Sequence, residues 1–215
     1  MTHPLIKICG VKTPDVIRSC VNAGAHMVGF VFVEKSPRYI APAQAEQLAK
    51  LIPTGVKMVG LFSDPKDHEV LAVTQSVPLD YIQLHGDESV DEITHVKSLV
   101  PHKVIKALSV EKREDVERWR DYNDVADIIL FDAKAPKDGA LRGGNGQAFD
   151  WDILNNVDLP PKWMLSGGLN PDNVACAVAT THAPMVDVSS GVEKIRGEKD
   201  PQKIKDFIDA VKMSQ

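Results

Sequence analysis

The run Leu5–Cys9, LIKIC, sets Ile6 and Ile8 in alternation with Lys7 and Cys9. Side chains of a strand alternate between its faces, so the ammonium and the thiol point the same way. A cation beside a thiol favours the thiolate, the form that acts as base or nucleophile. A second apolar run, IILFD, ends on Asp132. A thiolate base and a carboxylic acid held apart are a pair for moving protons. Two small-residue stretches follow, SGG with Gly167 and Gly168, and SSG with Ser189, Ser190 and Gly191. Glycine lets backbone approach a ligand closely, and exposed N–H groups in such turns favour anions. Arg38, Asp64, His85 and Asp187 also stand at or just beyond the ends of apolar runs. For His85 a ligand contact, an acid–base role and a satisfied polar residue all remain open.

Positioning these groups requires a scaffold that gathers strand ends. Eight β-rich runs, LIKIC, HMVGFVFV, KMVGLF, DYIQLH, KVIKAL, DIILFD, KWMLS and MVDVSS, alternate with helical patterns. Thr13-Pro14 opens the first helix as N-cap and first helical residue. Ala45, Leu48, Ala49 and Ile52 form one apolar stripe, and Ile204, Phe207, Ile208 and Val211 form another. Eight strands, each followed by a helical segment, predict an α/β fold, a (β/α)8 TIM barrel, as a single domain over residues 1–215. An open doubly wound sheet is the rival, but no GxGxxG follows the first strand.

In such a barrel the chemistry lies at the C-terminal strand ends, and phosphate is often held by the loops after strands seven and eight. That placement assigns Gly167, Gly168, Ser189, Ser190 and Gly191 to an anion. Strands one and eight become neighbours on closure, so Lys7 is expected to pair with Asp187, because a lone buried ammonium is costly. Cys9 is expected at the rim above that pair, as a thiolate. Cys20 and Cys176 are expected on buried helix faces, without chemistry. After Asp132 comes a long Gly- and Lys-rich loop whose Lys134, Lys137 and Arg142 could draw in and cover an anionic substrate.

The totals exclude several classes. The chain has 215 residues, 43% hydrophobic and 26% charged, with a formal net charge of -5. This balance argues against a nucleic-acid or membrane surface as partner. Three cysteines without a CxxC pair give no disulfide framework, and no His or Cys spacing suggests a metal site. The N-terminal residues carry no secretory pattern and no run reaches the ~20 apolar residues of a membrane span, so the cytoplasm is expected.

In order along the chain, KICG, SPR, QLHGDE, FD, SGGLNPDNV and DVSSGVE resemble the phosphoribosylanthranilate isomerase family of tryptophan biosynthesis, from Lys7 to Glu193. The resemblance implies a TIM barrel without cofactor, a phosphorylated small-molecule substrate, and a monomer or homodimer. It implies an Amadori rearrangement of N-(5'-phosphoribosyl)anthranilate, with Cys9 as general base and Asp132 as general acid. By the same match Arg38 would bind the anthranilate carboxylate, and Asp187 with the Gly/Ser turns would hold the phosphate end. Lys7 and His85 are the remaining substrate-side candidates. The histidine-pathway phosphoribosyl isomerase resembles an aspartate pair and has Asp where this chain has Cys9. A pentose-phosphate epimerase would call for a metal-binding His/Asp set. A non-catalytic phosphate-binding barrel would keep the glycine turns without needing Cys9 and Asp132 together.

Overall fold

A computed structural model describes residues 3–133, 150–155 and 157–214. The β-branched runs become β1 (Leu5–Cys9), β2 (Met27–Val31), β3 (Lys57–Phe62), β4 (Tyr81–Leu84), β5 (Lys103–Val110), β6 (Ile128–Ala133), β7 (Trp163–Leu165) and β8 (Met185–Val188). All eight pair in parallel, in sequence order, and β8 closes on β1. Closure leaves no sheet edge, and both faces of every strand are covered, which is why the runs read as nearly continuous apolar stretches.

Strand alternation divides the interior into two layers. Met27, Val59, Ile105, Ala107, Ile128, Leu130, Met164 and Met185 pack together inside the barrel. Ile6, Ile8, Val28, Phe30, Val186 and Val188 pack outwards under the helices. Lys7 and Cys9 take the inner face, as the alternation of β1 predicts.

The outer layer begins with α1 (Pro14–Ala23), whose N-cap Thr13 accepts a hydrogen bond from the Val16 N–H, with Pro14 opening the helix. It continues with α2 (Pro42–Ala49), α3 (Asp67–Thr74), α4 (Val90–Leu99) and the short α5 (Arg113–Glu117) and α6 (Trp119–Tyr122). The layer ends with α7 (Val174–Thr181) and α8 (Pro201–Met213). α8 buries Ile204, Phe207, Ile208 and Val211, the stripe its periodicity predicts. No described helix is long and apolar enough to cross a membrane.

The structure departs from the sequence reading in two connections. Between β6 and β7 the described residues hold a single 3-10 turn, Trp151–Leu154, rather than an α-helix. The expected substrate-covering loop with Lys134, Lys137 and Arg142 lies outside the described residues. After β8 the chain makes a 3-10 turn, Ser190–Val192, and then a small antiparallel hairpin, β9 (Glu193–Ile195) with β10 (Glu198–Lys199), before α8. The polar run from Glu193 to Asp200 carries no strand periodicity of its own.

Candidate active site

The barrel brings Cys9, Arg38, His85, Asp132, Asp187 and Ser189 to the wall of one cavity of about 630 Å³ at the C-terminal strand ends. Six polar residues separated by up to 180 positions meet there because each ends, or closely follows, a strand of the same closed sheet.

On the β1–β8 side, register sets Lys7 opposite Asp187, and the Lys7 ammonium donates to Asp187 Oδ1 at 2.9 Å. Asp187 Oδ2 accepts from the Ser166 hydroxyl at 3.3 Å. Burial pulls the Lys7 ammonium down, but Asp187 and Cys9 outweigh it, so Lys7 stays charged with a pKa above the ordinary value. Cys9 stacks next to Lys7 on the same face, and a Cβ on Gly29 of β2 would come within 3.0 Å of its sulfur. That glycine makes room for the thiol.

Cys9 corrects the sequence expectation. It is only 3% exposed, and burial pushes its thiol above the ordinary value despite the opposing pull of Lys7 and Lys199. The resting group is a thiol. Desolvation of a small anion within the barrel outweighs the two neighbouring cations, whose charges are already shared with Asp187 and Glu193.

Arg38 introduces residues the sequence reading missed. Its aliphatic stem lies against Gly10, and its guanidinium forks onto buried Glu193, Nε to Oε1 at 2.7 Å and Nη2 to Oε2 at 2.9 Å. Glu193 also accepts from Lys199 at 2.8 Å and from the Gly197 N–H at 3.0 Å. Burial raises this carboxyl, yet Arg38 and Lys199 overcome it and hold its pKa at about 2. Lys199 donates also to the Ser189 backbone oxygen and hydroxyl, and that hydroxyl donates to the Cys9 carbonyl at 3.1 Å. The hairpin is therefore a brace that links the arginine, the β8 turn and the cysteine. The E of SSGVE was a visible signal for Glu193, whereas nothing local marks Lys199.

The β4–β6 side is built differently. His85 Nε2 lies 3.0 Å from Asp132 Oδ2, and its Nδ1 lies 2.9 Å from the amide nitrogen of fully buried Gln83. Below this side, Glu88 accepts from the Asp64 and Gly86 N–H groups, at 2.8 and 3.0 Å. Lys106 of β5 neutralises Glu88 at 2.6 Å. Asp64, in the left-handed region with φ 47°, turns its carboxylate to the Asp87 N–H and not into an acid–base pair.

The glycine turns approach as close-packed backbone. Gly167 and Gly168 have φ of +85° and +66°, and a Cβ on Gly167 would fall 2.3 Å from the Ala133 nitrogen. A Cβ on Gly191 would fall 1.9 Å from the Leu169 oxygen. The end of β6 and the turns after β7 and β8 thus meet at distances only glycine permits. The Ser189 hydroxyl is turned inward to Cys9 and Lys199, so any part it has in holding an anion falls to its N–H. Among the described residues no three His, Cys, Asp or Glu side chains come together as metal ligands.

Cys176 is exposed, which corrects its expected burial. Val174, Ala177, Val178 and Thr181 form the inner stripe of α7, and position 176 lies off it. Cys20 is buried, and burial pushes its thiol up to about 12.

Comparison with known proteins agrees with this architecture. The family model for N-(5'phosphoribosyl)anthranilate (PRA) isomerase matches residues 6–210. The N-(5'-phosphoribosyl)anthranilate isomerase of Paracoccus denitrificans (strain Pd 1222) is 48% identical over 203 residues, 94% of each chain. The crystal structure of phosphoribosyl anthranilate isomerase from Thermotoga maritima superposes with TM-score 0.86 at 38% identity, over 97% of this chain and 98% of that one. A further phosphoribosyl anthranilate isomerase structure matches with TM-score 0.84 at 37% identity over 97% and 98% of the two chains. That protein holds reduced 1-(o-carboxyphenylamino)-1-deoxyribulose 5-phosphate. By sequence along nearly its whole length, and by the closed barrel, the chain belongs to the N-(5'-phosphoribosyl)anthranilate isomerase family.

Proposed function

We propose that this enzyme converts N-(5'-phosphoribosyl)anthranilate to 1-(o-carboxyphenylamino)-1-deoxyribulose 5-phosphate, an Amadori rearrangement in tryptophan biosynthesis, with Cys9 as general base and Asp132 as general acid. The observation that carries the reading is the single cavity on which Cys9 and Asp132 both open, from β1 and β6, in a chain of this family.

The steps follow from those positions. The anilino nitrogen pushes its lone pair into a C=N bond as the bond from C1' to the ring oxygen breaks. Asp132 gives its proton to that oxygen and becomes a carboxylate beside His85. The resulting iminium acidifies the C2' proton, which passes to the Cys9 thiolate, and the enolamine formed relaxes to the ketose. Only protons move, so the reaction needs no metal or redox cofactor. Cys9 works from a small thiolate fraction, because burial raises the thiol. Lys7 and Lys199 enlarge that fraction, and the iminium charge formed nearby favours it further at the step that uses it.

Arg38 is assigned to the anthranilate carboxylate, a pairing suited to a planar guanidinium fork. Glu193 holds the guanidinium in place through Nε and Nη2. Gly167, Gly168, Ser189, Ser190 and Gly191 are assigned to the phosphate through their N–H groups, and Lys7 and Asp187 to the floor beneath it. The enzyme's partners are then its phosphorylated substrate and at most a second copy of itself, in the cytoplasm. Loss of anthranilate fluorescence with freshly made substrate, and formation of the ketose product, test the activity. Purified protein that leaves the substrate unchanged would defeat the proposal.

A further inference from the structure

Gln83 is fully buried on the inner face of β4, a costly place for an amide that does nothing. Its nitrogen can only donate, so the 2.9 Å approach to His85 makes Nδ1 an acceptor. The imidazole proton is then on Nε2, 3.0 Å from Asp132 Oδ2. Among the described residues Gln83 Oε1 has no hydrogen-bond partner. Turning the amide over would set Oε1 against Nδ1 and leave an entire NH2 group in that same apolar place. Either orientation leaves two of the amide's hydrogen-bonding positions unmet, and only the donor-to-His85 orientation sets the Nε2–H towards Asp132. The opposite tautomer would also set a bare Nε2 lone pair against Asp132 whenever that group is ionised.

We propose that Gln83 is a positioning residue that fixes His85 as the Nε2–H tautomer, so that His85 holds Oδ2 of Asp132 and the acid's proton is carried on Oδ1. The proposal rests on Asp132 being the general acid. It gives His85 one role among the three its position left open, a neutral donor that is not itself protonated or deprotonated in the cycle. In the acid step the Oδ1–H bond breaks and its proton goes to the ring oxygen. The carboxylate left behind already has the Nε2–H donor facing it, with no tautomer change to make first. Preorganised donors of this kind act without reorganisation at the moment of reaction.

Nitrogen NMR of 15N-histidine-labelled protein tests it, with the His85 signals assigned from a His85→Asn sample. The wild type should show a bare Nδ1 and a protonated Nε2. Gln83→Glu, which replaces a donor by an acceptor, should move the proton to Nδ1 or add a second one. Gln83→Met, which removes the polar group at similar volume, should give a tautomer mixture. In both variants kcat should fall about tenfold or more with KM within about twofold, the pattern of a misaligned group that touches no substrate. A wild type with its proton on Nδ1, or variants with an unchanged tautomer, would overturn the proposal. So would an unchanged kcat in Gln83→Met with a normal circular-dichroism spectrum, and should neither variant fold, the wild-type spectrum decides alone. Near-normal turnover of Asp132→Asn would instead remove the acid assignment, which the tautomer measurement does not depend on.

Discussion

Among the described residues Lys7 and Lys106 are the most deeply buried lysines, one on β1 and one on β5, each ion-paired with a carboxylate. Lys7 points into the lumen, to Asp187 and Cys9, at the floor of the cavity. Lys106 belongs to the opposite strand parity. Its neighbours Ile105 and Ala107 fill the lumen, while its own ammonium lies outward against Glu88, the Gly86 carbonyl and the Tyr122 ring. The bond chemistry is the same and the purpose differs. One ammonium supplies charge beside a reacting thiol, and the other fixes the loops that carry Asp64 and His85. Burial of an ion pair is therefore no mark of a site, and the face of the strand has to be known.

The comparison breaks first at the reacting groups. Cys9→Ala and Asp132→Asn should each lower kcat by ~10²–10⁴, with unchanged circular dichroism, because each removes a separate proton transfer. Near-normal turnover in one of them would strip the lumenal side of its chemical role at that residue.

The lysines themselves come next. Lys7→Met and Lys106→Met each leave a buried carboxylate without its cation, so denaturant midpoints should report a loss of ~3–5 kcal/mol for both. Pairing each with its partner, as Lys7→Met/Asp187→Asn and Lys106→Met/Glu88→Gln, should restore part of that stability. Turnover per folded molecule should return close to normal only in the β5 pair. Equal recovery of turnover in both pairs would erase the distinction drawn above.

Two pH effects sharpen it further. The free-enzyme base has a raised pKa, so kcat/KM should climb as pH rises through neutrality, and Lys7→Met should push that limb to still higher pH. Glu193, with its folded value at about 2 against 4.5, contributes stability that is present above 4.5 and lost as pH falls towards about 2. Urea midpoints of wild type and Glu193→Gln should therefore differ most above pH 4.5 and converge below it.

The smallest effect is on labelling. Iodoacetamide at limiting amount should modify Cys176 first and leave turnover unchanged, since that thiol is exposed. Cys9 should react slowly, faster at alkaline pH, and with loss of activity, while Cys20 should stay unreactive. Peptide mapping by mass spectrometry separates the three. Rapid labelling of Cys9 at neutral pH would contradict its burial.

Much of this protein is legible along the chain because its causes are local. Alternation in LIKIC and MVDV puts Lys7, Cys9 and Asp187 on the inner face, and an unpaired ammonium there is too costly to leave. The stripes of α2 and α8, the Thr13 cap and the glycine turns follow from dihedral and periodicity rules that need only near neighbours. The family motifs at the strand ends are also continuous in sequence. The tertiary structure decided what depends on the sum of distant contributions. Whether Cys9 rests as thiol or thiolate is a balance of burial by every strand around it against two cations, and no pair of residues predicts that sum. Lys199 reaches Ser189 and Glu193 through a hairpin with no strand pattern. Gln83, His85 and Asp132 form one chain of hydrogen bonds because the closed barrel brings β4 and β6 to the wall of one cavity, a fact about strand placement around the ring that sequence spacing does not encode.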